Sequence, residues 1–403
     1  MPDQALSDVK VLDFTHYVAG PYCTKLLADY GADVVKVERP DGGDRARRMG
    51  PFPEDVPHPE KSGLFLHLNT SKRGITLDLH TRAAVKIVKE LVKDTDLVVE
   101  SFRPGTMARL GLDYASLLEI NPKLVMTSIS NFGQTGPYRD YRAAEIMFYG
   151  MGGEMYSTGT RDREPLKMAA NVVLYQAGAA AAVATMGAVY AATGQGSGQQ
   201  VDVSIMETQM GTIDRRMSNL IAFQYTGETI GRGPFGTSGY PNGVYQCEDG
   251  YFQLSGSRSY FPRVVRMLGE PEFLTESRWT TPEAQRDADM KAEFEEYFES
   301  WVKTRTMYDA WRTAQDAHVL SGPLNTVGEL MQDPVFDQRG AFADITHPEA
   351  GELKYPGRPF IMNESPWAVN RPAPLLGQHN GEILGSLGYS SDDIVRLKQL
   401  GVI

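Results

Sequence analysis

The sequence predicts an α/β fold, in which a parallel sheet with covering helices is followed by a smaller α+β domain. Three observations predict it. Short β-type runs alternate with amphipathic helical stretches through the first half of the 403 residues. One alanine-rich, almost chargeless stretch in the middle reads as a buried helix. From about Gly227 the texture changes, and Gly and Pro thicken through Gly243.

Val9–Phe14 reads as a buried strand, Pro21–Tyr30 as a helix ending near Gly31, and Val34–Glu38 as a second strand. Ile75–Leu79, Leu97–Phe102 and Leu124–Ser128 continue the series. Between them, Ala83–Val92 carries Val85, Ile87, Val88, Leu91 and Val92 at helical spacing. Strands alternating with helices make βαβ units, whose strands run parallel. Ala177–Ala192 is the buried helix, ended by the glycines of Gly194–Gly198, and Gln200–Ile205 supplies a further strand. Beyond Gly227 come a strand pair (Val244–Gln246 and Tyr251–Leu254) and a charged helical stretch, Ala284–Lys303. After Pro323 the chain reads as loop-rich, and it ends in an amphipathic tail, Ile383–Leu400. The expected boundaries are 1–226 for the first part of the large domain, 227–325 for the small one, and 326–403 for a segment returning to the large one.

Composition excludes several classes. A net charge of -11 argues against nucleic acid or an acidic membrane as partner, because neutralising phosphates needs a basic face. No apolar run is read as long enough to span a membrane, and MPDQALSDVK lacks the features of a signal peptide, so the expected compartment is the cytoplasm. Cys23 and Cys247 form no CxxC pattern, and the seven histidines (16, 58, 67, 80, 318, 347 and 379) show no ligand spacing. No metal site is expected.

Gly231-Arg-Gly-Pro-Phe-Gly236 spells G-x-G-x-x-G, but a helical stretch precedes it and Pro234 interrupts it, so it reads as a loop rather than a dinucleotide fingerprint. His16 follows the first strand directly, and ligands bind at the carboxyl ends of strands in open α/β sheets. Arg39 follows the second strand, Arg103 and Arg109 the one ending at Phe102, and Arg139 and Arg142 the one ending near Ser128. Guanidinium forks recurring at strand ends suit a phosphate-bearing ligand. Glu145 sits among apolar residues, where burial would raise its pKa as an acid–base or nucleophilic group needs. It equally suits the first turn of a helix, beside the dipole.

Val9–Asp44, with Asn69–Asp78, Val99–Gly105, Leu110-Gly111, Gly133–Tyr138, Thr193–Asp202 and Arg371–His379, resembles the family III CoA-transferases (CaiB/BaiF type, the formyl-CoA transferase and carnitine CoA-transferase group) over essentially the whole chain. The resemblance implies a Rossmann-like large domain built from both chain ends, a small domain between them, and two subunits threaded through each other as an interlocked dimer. It implies coenzyme A or acyl-CoA as substrate with no tightly bound cofactor. It places CoA on Arg39, Arg109 and Arg142 beside His16, Tyr17 and Val18.

The family's usual nucleophile is an aspartate four residues before a glycine. It attacks the donor acyl-CoA to give a mixed anhydride, and then carries CoA as an aspartyl thioester. Here that segment reads Asn171-Val-Val-Leu174-Tyr-Gln-Ala-Gly178, and no Asp or Glu occurs between Glu164 and Gln200. A leucine cannot attack a thioester. The racemase branch needs a histidine where Ala144 stands, together with the same aspartate, so racemisation is excluded.

Three readings follow, in this order. The chain is the noncatalytic subunit of a heteromeric CoA-transferase (heterodimer or heterotetramer) whose paralogue bears the aspartate, as in succinyl-CoA:benzylsuccinate CoA-transferase of anaerobic aromatic acid catabolism. Or it is a homodimer in which Glu145 takes over. Or it is a nonenzymatic acyl-CoA-binding protein. Tyr17, Val18, Phe148, Tyr149 and the 231–243 loop are expected to shape the acyl pocket, and their apolar character favours a bulky acid over formate or oxalate.

Overall fold

The computed structural model describes residues 4–211, 214–229, 231–232 and 239–403. Two compact units divide the chain. The first comprises Met1–Tyr156, Lys167–Ile230 and Gln338–Ile403, and the second Ser157–Leu166 and Gly231–Asp337. The divisions thus fall after residues 230 and 337, where the sequence suggested 226 and 325. The segment Ser157–Leu166 also joins the second unit, which nothing in its composition announced.

Among the described residues, six strands build the sheet of the first unit: β1 (Lys10–Phe14), β2 (Asp33–Glu38), β3 (Arg73–Thr76), β4 (Leu97–Glu100), β5 (Val125–Ser130) and β6 (Gln200–Ser204). Their order is β3-β2-β1-β4-β5-β6, and every neighbouring pair is parallel. This doubly wound order places the switch point between β1 and β4. Both faces are covered. Val11, Val34, Val99 and Val125 pack on one side, and Leu12, Val35, Val98 and Met126 on the other, as the two-residue period of a strand requires.

Helix α1 (Ala19–Ala28) follows β1, and α2 (Arg82–Val92) buries Ala84, Ile87, Val88 and Val92 on the opposite face. The long crossover from β5 to β6 holds α3 (Glu145–Met151) and α4 (Val172–Gln195). At 24 residues, α4 is long and apolar enough to cross a membrane by length and composition, which corrects the reading that no apolar run reaches that length. Half of its most apolar window is buried in the fold. Gly178 explains its close approach to α1, since a Cβ there would lie 2.5 Å from the Ala19 carbonyl oxygen. Thr185 fastens the helix to the sheet through Thr127, 2.8 Å away. Gly196, at φ 74°, caps its end.

The last segment returns to the β3 edge. His379 N–H donates to the Gly74 carbonyl, Gly74 N–H donates to His379 Nδ1, and Asp78 N–H donates to the Val402 carbonyl. The tail read as one amphipathic stretch is two helices, Asn380–Ser386 and Ser391–Gln399, separated around Gly388 at φ 88°.

The second unit carries an antiparallel sheet, β7 (Asn242–Gln246), β8 (Tyr251–Ser255) and β9 (Leu320–Pro323). Its core is aromatic, built on Trp279, Phe261, Phe294 and Phe298. The stretch after Pro323 is less loop-like than its composition suggested. It forms helices at Val327–Gln332 and Pro334–Gln338, and then a hairpin of β10 (Phe342–His347) with β11 (Gly351–Pro356) in the first unit.

Candidate active site

The carboxyl ends of β1, β4 and β5 open on a cavity of about 770 Å³. The turn after β1 is its most constrained wall. Tyr17 there adopts φ 74°, a left-handed conformation unusual for a bulky side chain. Asp44 holds it in place. The fully buried carboxylate accepts from Tyr17 N–H at 3.0 Å and from Ala46 N–H at 2.8 Å through Oδ1, and pairs with Lys36 Nζ at 2.9 Å through Oδ2. Lys36 in turn donates to the Thr15 carbonyl at 2.8 Å, tying strand β2 to the same turn.

A second buried pair sits behind it. Lys72 Nζ contacts Asp13 Oδ2 at 3.0 Å, and also donates to Thr24, Asn69 and the Pro21 carbonyl. Burial alone would raise the Asp13 pKa, but Lys72 and Lys36 overcome it and hold the carboxyl well below its usual range. Burial also lowers Lys72, to about 8, because Asp13 only partly offsets the desolvation. The Asp13 and Lys72 charges are each met by several hydrogen bonds, so this pair works as a rigid floor.

His16 has its N–H on Ser101 Oγ at 3.0 Å and its ring 5.8 Å from that of Phe102, so the ends of β1 and β4 are joined. Desolvation lowers its pKa, and the nearby Asp44 carboxylate partly counters that. Five arginines line the cavity (45, 103, 109, 139 and 142) against two acids, Asp140 and Glu145. The imbalance suits an anion with several oxygens.

Glu145 opens α3 and reaches across to the start of α4. Its Oε1 accepts from Val173 N–H at 2.8 Å, and Oε2 has no hydrogen-bond partner. Desolvation raises its pKa, while the Val173 and Leu174 N–H groups oppose the rise. Leu174 lines the same cavity from the first turn of α4, 7% exposed. Just before it, Asn171 Oδ1 lies 3.3 Å from the Tyr17 hydroxyl.

The structure therefore brings His16, Tyr17, Val18, Arg109, Arg142, Glu145 and Leu174 into one place, with Phe148 behind them. It does not bring Arg39, which stays exposed just after β2 and outside the cavity. Tyr149 is also apart from the cavity. It is buried in the core of the first unit, with Lys167 5.4 Å over its ring. Of the G-x-G-x-x-G motif, Gly231 and Arg232 are described and 233–236 lie outside the described residues. Arg45 and Asp44 were missed. Both follow the second strand in an Asp-Gly-Gly-Asp-Arg run, and two acids flanking glycines beyond a strand end were the available signal.

An all-parallel sheet in this order, with an arginine-lined cavity at the switch point, defines an α/β protein that binds a phosphate-bearing ligand. More particularly, the chain belongs to CoA-transferase family III, which matches residues 6–380. Enzymes of this kind use CoA thioesters as substrates. The chain is 33% identical to a succinyl-CoA–D-citramalate CoA-transferase of Chloroflexus aurantiacus, over 100% of this chain and 99% of that protein. It is 32% identical to a succinate–glutarate CoA-transferase of Agrobacterium fabrum, over 95% of both. A crystal structure of a CaiB/BaiF family protein from Brucella suis superposes with a TM-score of 0.83, at 29% identity, over 96% of this chain and 100% of that one.

Proposed function

We propose that this chain is the CoA-holding subunit of a CoA-transferase whose nucleophile is supplied by an aspartate-bearing paralogue. The observation that carries the reading is Leu174, a hydrocarbon side chain in the cavity wall at the position of the family's aspartate. The overall exchange moves the CoA thiolate from an acyl-CoA to a free carboxylate, releasing the first acid. No step of it can begin on Leu174, because leucine has no lone pair to donate. What this chain supplies is binding and orientation. Arg109, Arg142 and the neighbouring arginines hold phosphate oxygens, and His16, Tyr17 and Val18 form the wall beside the thioester. Arg39, outside the cavity, is left for a more distant part of the ligand.

A partner is supported by exposed apolar surface in the first unit. Val183 and Tyr190 on α4, and Leu220, Ile221, Phe223 and Tyr225 on the helix Asp214–Thr226, are between 46% and 86% exposed in the lone chain. A second subunit, interlocked as the family resemblance implies, would cover them. The name of the Chloroflexus relative favours succinyl-CoA as donor, and Tyr17, Val18 and Phe148 favour an acceptor acid with an apolar body. The unpaired, buried thiols of Cys23 and Cys247 suit a reducing compartment such as the cytoplasm.

Co-expression with a paralogue that has Asp in place of Leu174 tests the reading. A stable heteromer with succinyl-CoA-dependent transfer is expected, and full activity from the purified homomer would sink it. The free Oε2 of Glu145 favours one rival, a homodimer using that carboxylate. Hydroxylamine trapping during turnover, followed by peptide mapping, would then modify Glu145.

A further inference from the structure

The second unit contains a cavity of about 640 Å³, which shares no residue with the cavity at the switch point. Its floor is apolar. The rings of Phe261 and Trp279, both almost wholly buried, lie stacked 6.1 Å apart, and Val265 and Leu274 complete it. Two arginines and a glutamine line it, together with the hydroxyls of Ser259, Thr275, Thr280 and Thr281. Gln285, 7% exposed, accepts from Arg258 N–H through Oε1 at 2.9 Å. That bond fixes the orientation of the amide, because the N–H needs an acceptor. The Nε2 group is thereby left buried with no partner. A buried unpaired donor is costly and calls for a physical account.

The surroundings are shaped around this glutamine. Arg258 is held at φ 55°, and strained conformations of this kind cluster at ligand clamps. Gly239, at φ 96°, passes so close that a Cβ would lie 2.9 Å from Gln285 Oε1. Arg258 and Arg286 both line the cavity, and neither has an acidic partner among the described residues.

We infer that this cavity binds a small organic acid with an aromatic or branched apolar body. Its carboxylate engages Arg258 and Arg286, an oxygen accepts from Gln285 Nε2, and its body rests on Trp279 and Phe261. The lining has two guanidinium groups and no carboxylate, which disfavours a cation, and its apolar floor disfavours a small inorganic anion. The inference stands apart from the CoA-transfer reading and holds or fails without it.

Benzoate is the probe, with toluene as its uncharged counterpart. In full-length protein labelled with 5-fluorotryptophan, the Trp279 resonance, assigned with Trp279→Phe, should shift saturably with benzoate at a Kd on the order of 1 mM. Toluene should shift it far less. Arg286→Ala, an exposed change that leaves the core intact, should weaken benzoate at least about tenfold, and Gln285→Leu likewise. Arg109→Ala, in the first unit, should leave the titration unchanged. A silent Trp279 resonance, equal response to toluene, or unaltered affinity in Arg286→Ala would each overturn the assignment.

Discussion

Glu145 Oε1 accepts a 2.8 Å hydrogen bond from the backbone N–H of Val173, so the carboxylate of one short helix caps the first turn of the next. The same turn carries Leu174, the position that the proposed function equates with the family's nucleophile. A carboxylate at a helix start is favoured by the orphan N–H groups and by the dipole, with no catalytic duty required. This geometry gives Glu145 a structural task that the homodimer reading has to share with chemistry.

Glu145→Ala and Glu145→Gln separate those two tasks. The alanine variant loses the cap, and urea unfolding should show a loss of about 1 kcal/mol. The glutamine variant retains an acceptor oxygen, so its stability should stay within about 0.5 kcal/mol of the parent. Under the proposed function its heteromer also retains transfer activity. A glutamine variant that is stable but inactive would assign the reaction to Glu145.

Asp44 and Tyr17 form the second test. The Asp44 carboxylate neutralises the buried Lys36 and fastens a left-handed Tyr17, and neither task is visible from outside the cavity. Asp44→Ala removes the contacting carboxylate of the buried Lys36 and leaves only the more distant Asp13 and Glu38 charges to offset it, so a loss of about 3 kcal/mol is expected by chemical denaturation. Lys36→Met in the same chain should recover part of that loss, since the stranded charge is removed. If the double variant is no more stable than Asp44→Ala, the two residues are not coupled as drawn.

Glu100, at the end of β4, sets a pH dependence. Its side chain accepts from Phe102 N–H at 2.7 Å, yet burial dominates and raises its pKa to about 7. Between the ordinary glutamate value and 7 the folded protein binds more protons than the unfolded one, so stability falls as pH rises through that window. A shift of this size corresponds to about 3 kcal/mol at most, fully present at low pH and lost near neutrality. Glu100→Gln should abolish that component, flattening the profile of urea midpoints between pH 5 and 7. An unchanged slope would place the proton elsewhere.

The strands and their order-giving alternation were legible because a strand buried on both faces is a run of apolar residues. Val34–Glu38 was read to within a residue of β2. What stayed hidden depends on contacts between distant segments. Nothing local marks Asp44 as the anchor of Tyr17, 27 positions away, or Glu145 as the cap of a helix 28 positions on. Arg39 and Arg45 look alike in the sequence. Both are exposed, and only the path of the chain after β2 brings Arg45 to the cavity, 5.3 Å over the Tyr17 ring, while Arg39 stays outside it. The length of α4 was underestimated because Val172–Gln176 includes polar and β-branched residues that tertiary packing overrides.

Leu174→Asp asks whether the rest of the machinery is present. Leu174 is nearly buried, so the new carboxylate would enter a partly desolvated wall, and its pKa would rise. Glu145 is close enough to the same turn that the two carboxyls would repel, raising one of them further. The N–H groups at the start of α4 and the five arginines of the cavity act in the opposite sense and favour the ionised form. At pH 7–8 enough of the nucleophile should be ionised for attack. The expected cost in stability is about 1–3 kcal/mol, from the lost apolar burial and the new charge. The expected gain is CoA transfer by the chain without a paralogue, with a hydroxylamine-sensitive adduct mapping to position 174. If the variant folds and binds CoA but transfers nothing, a second element of the site is missing besides the aspartate. If it folds and binds no CoA, the cavity at the switch point is not the CoA site.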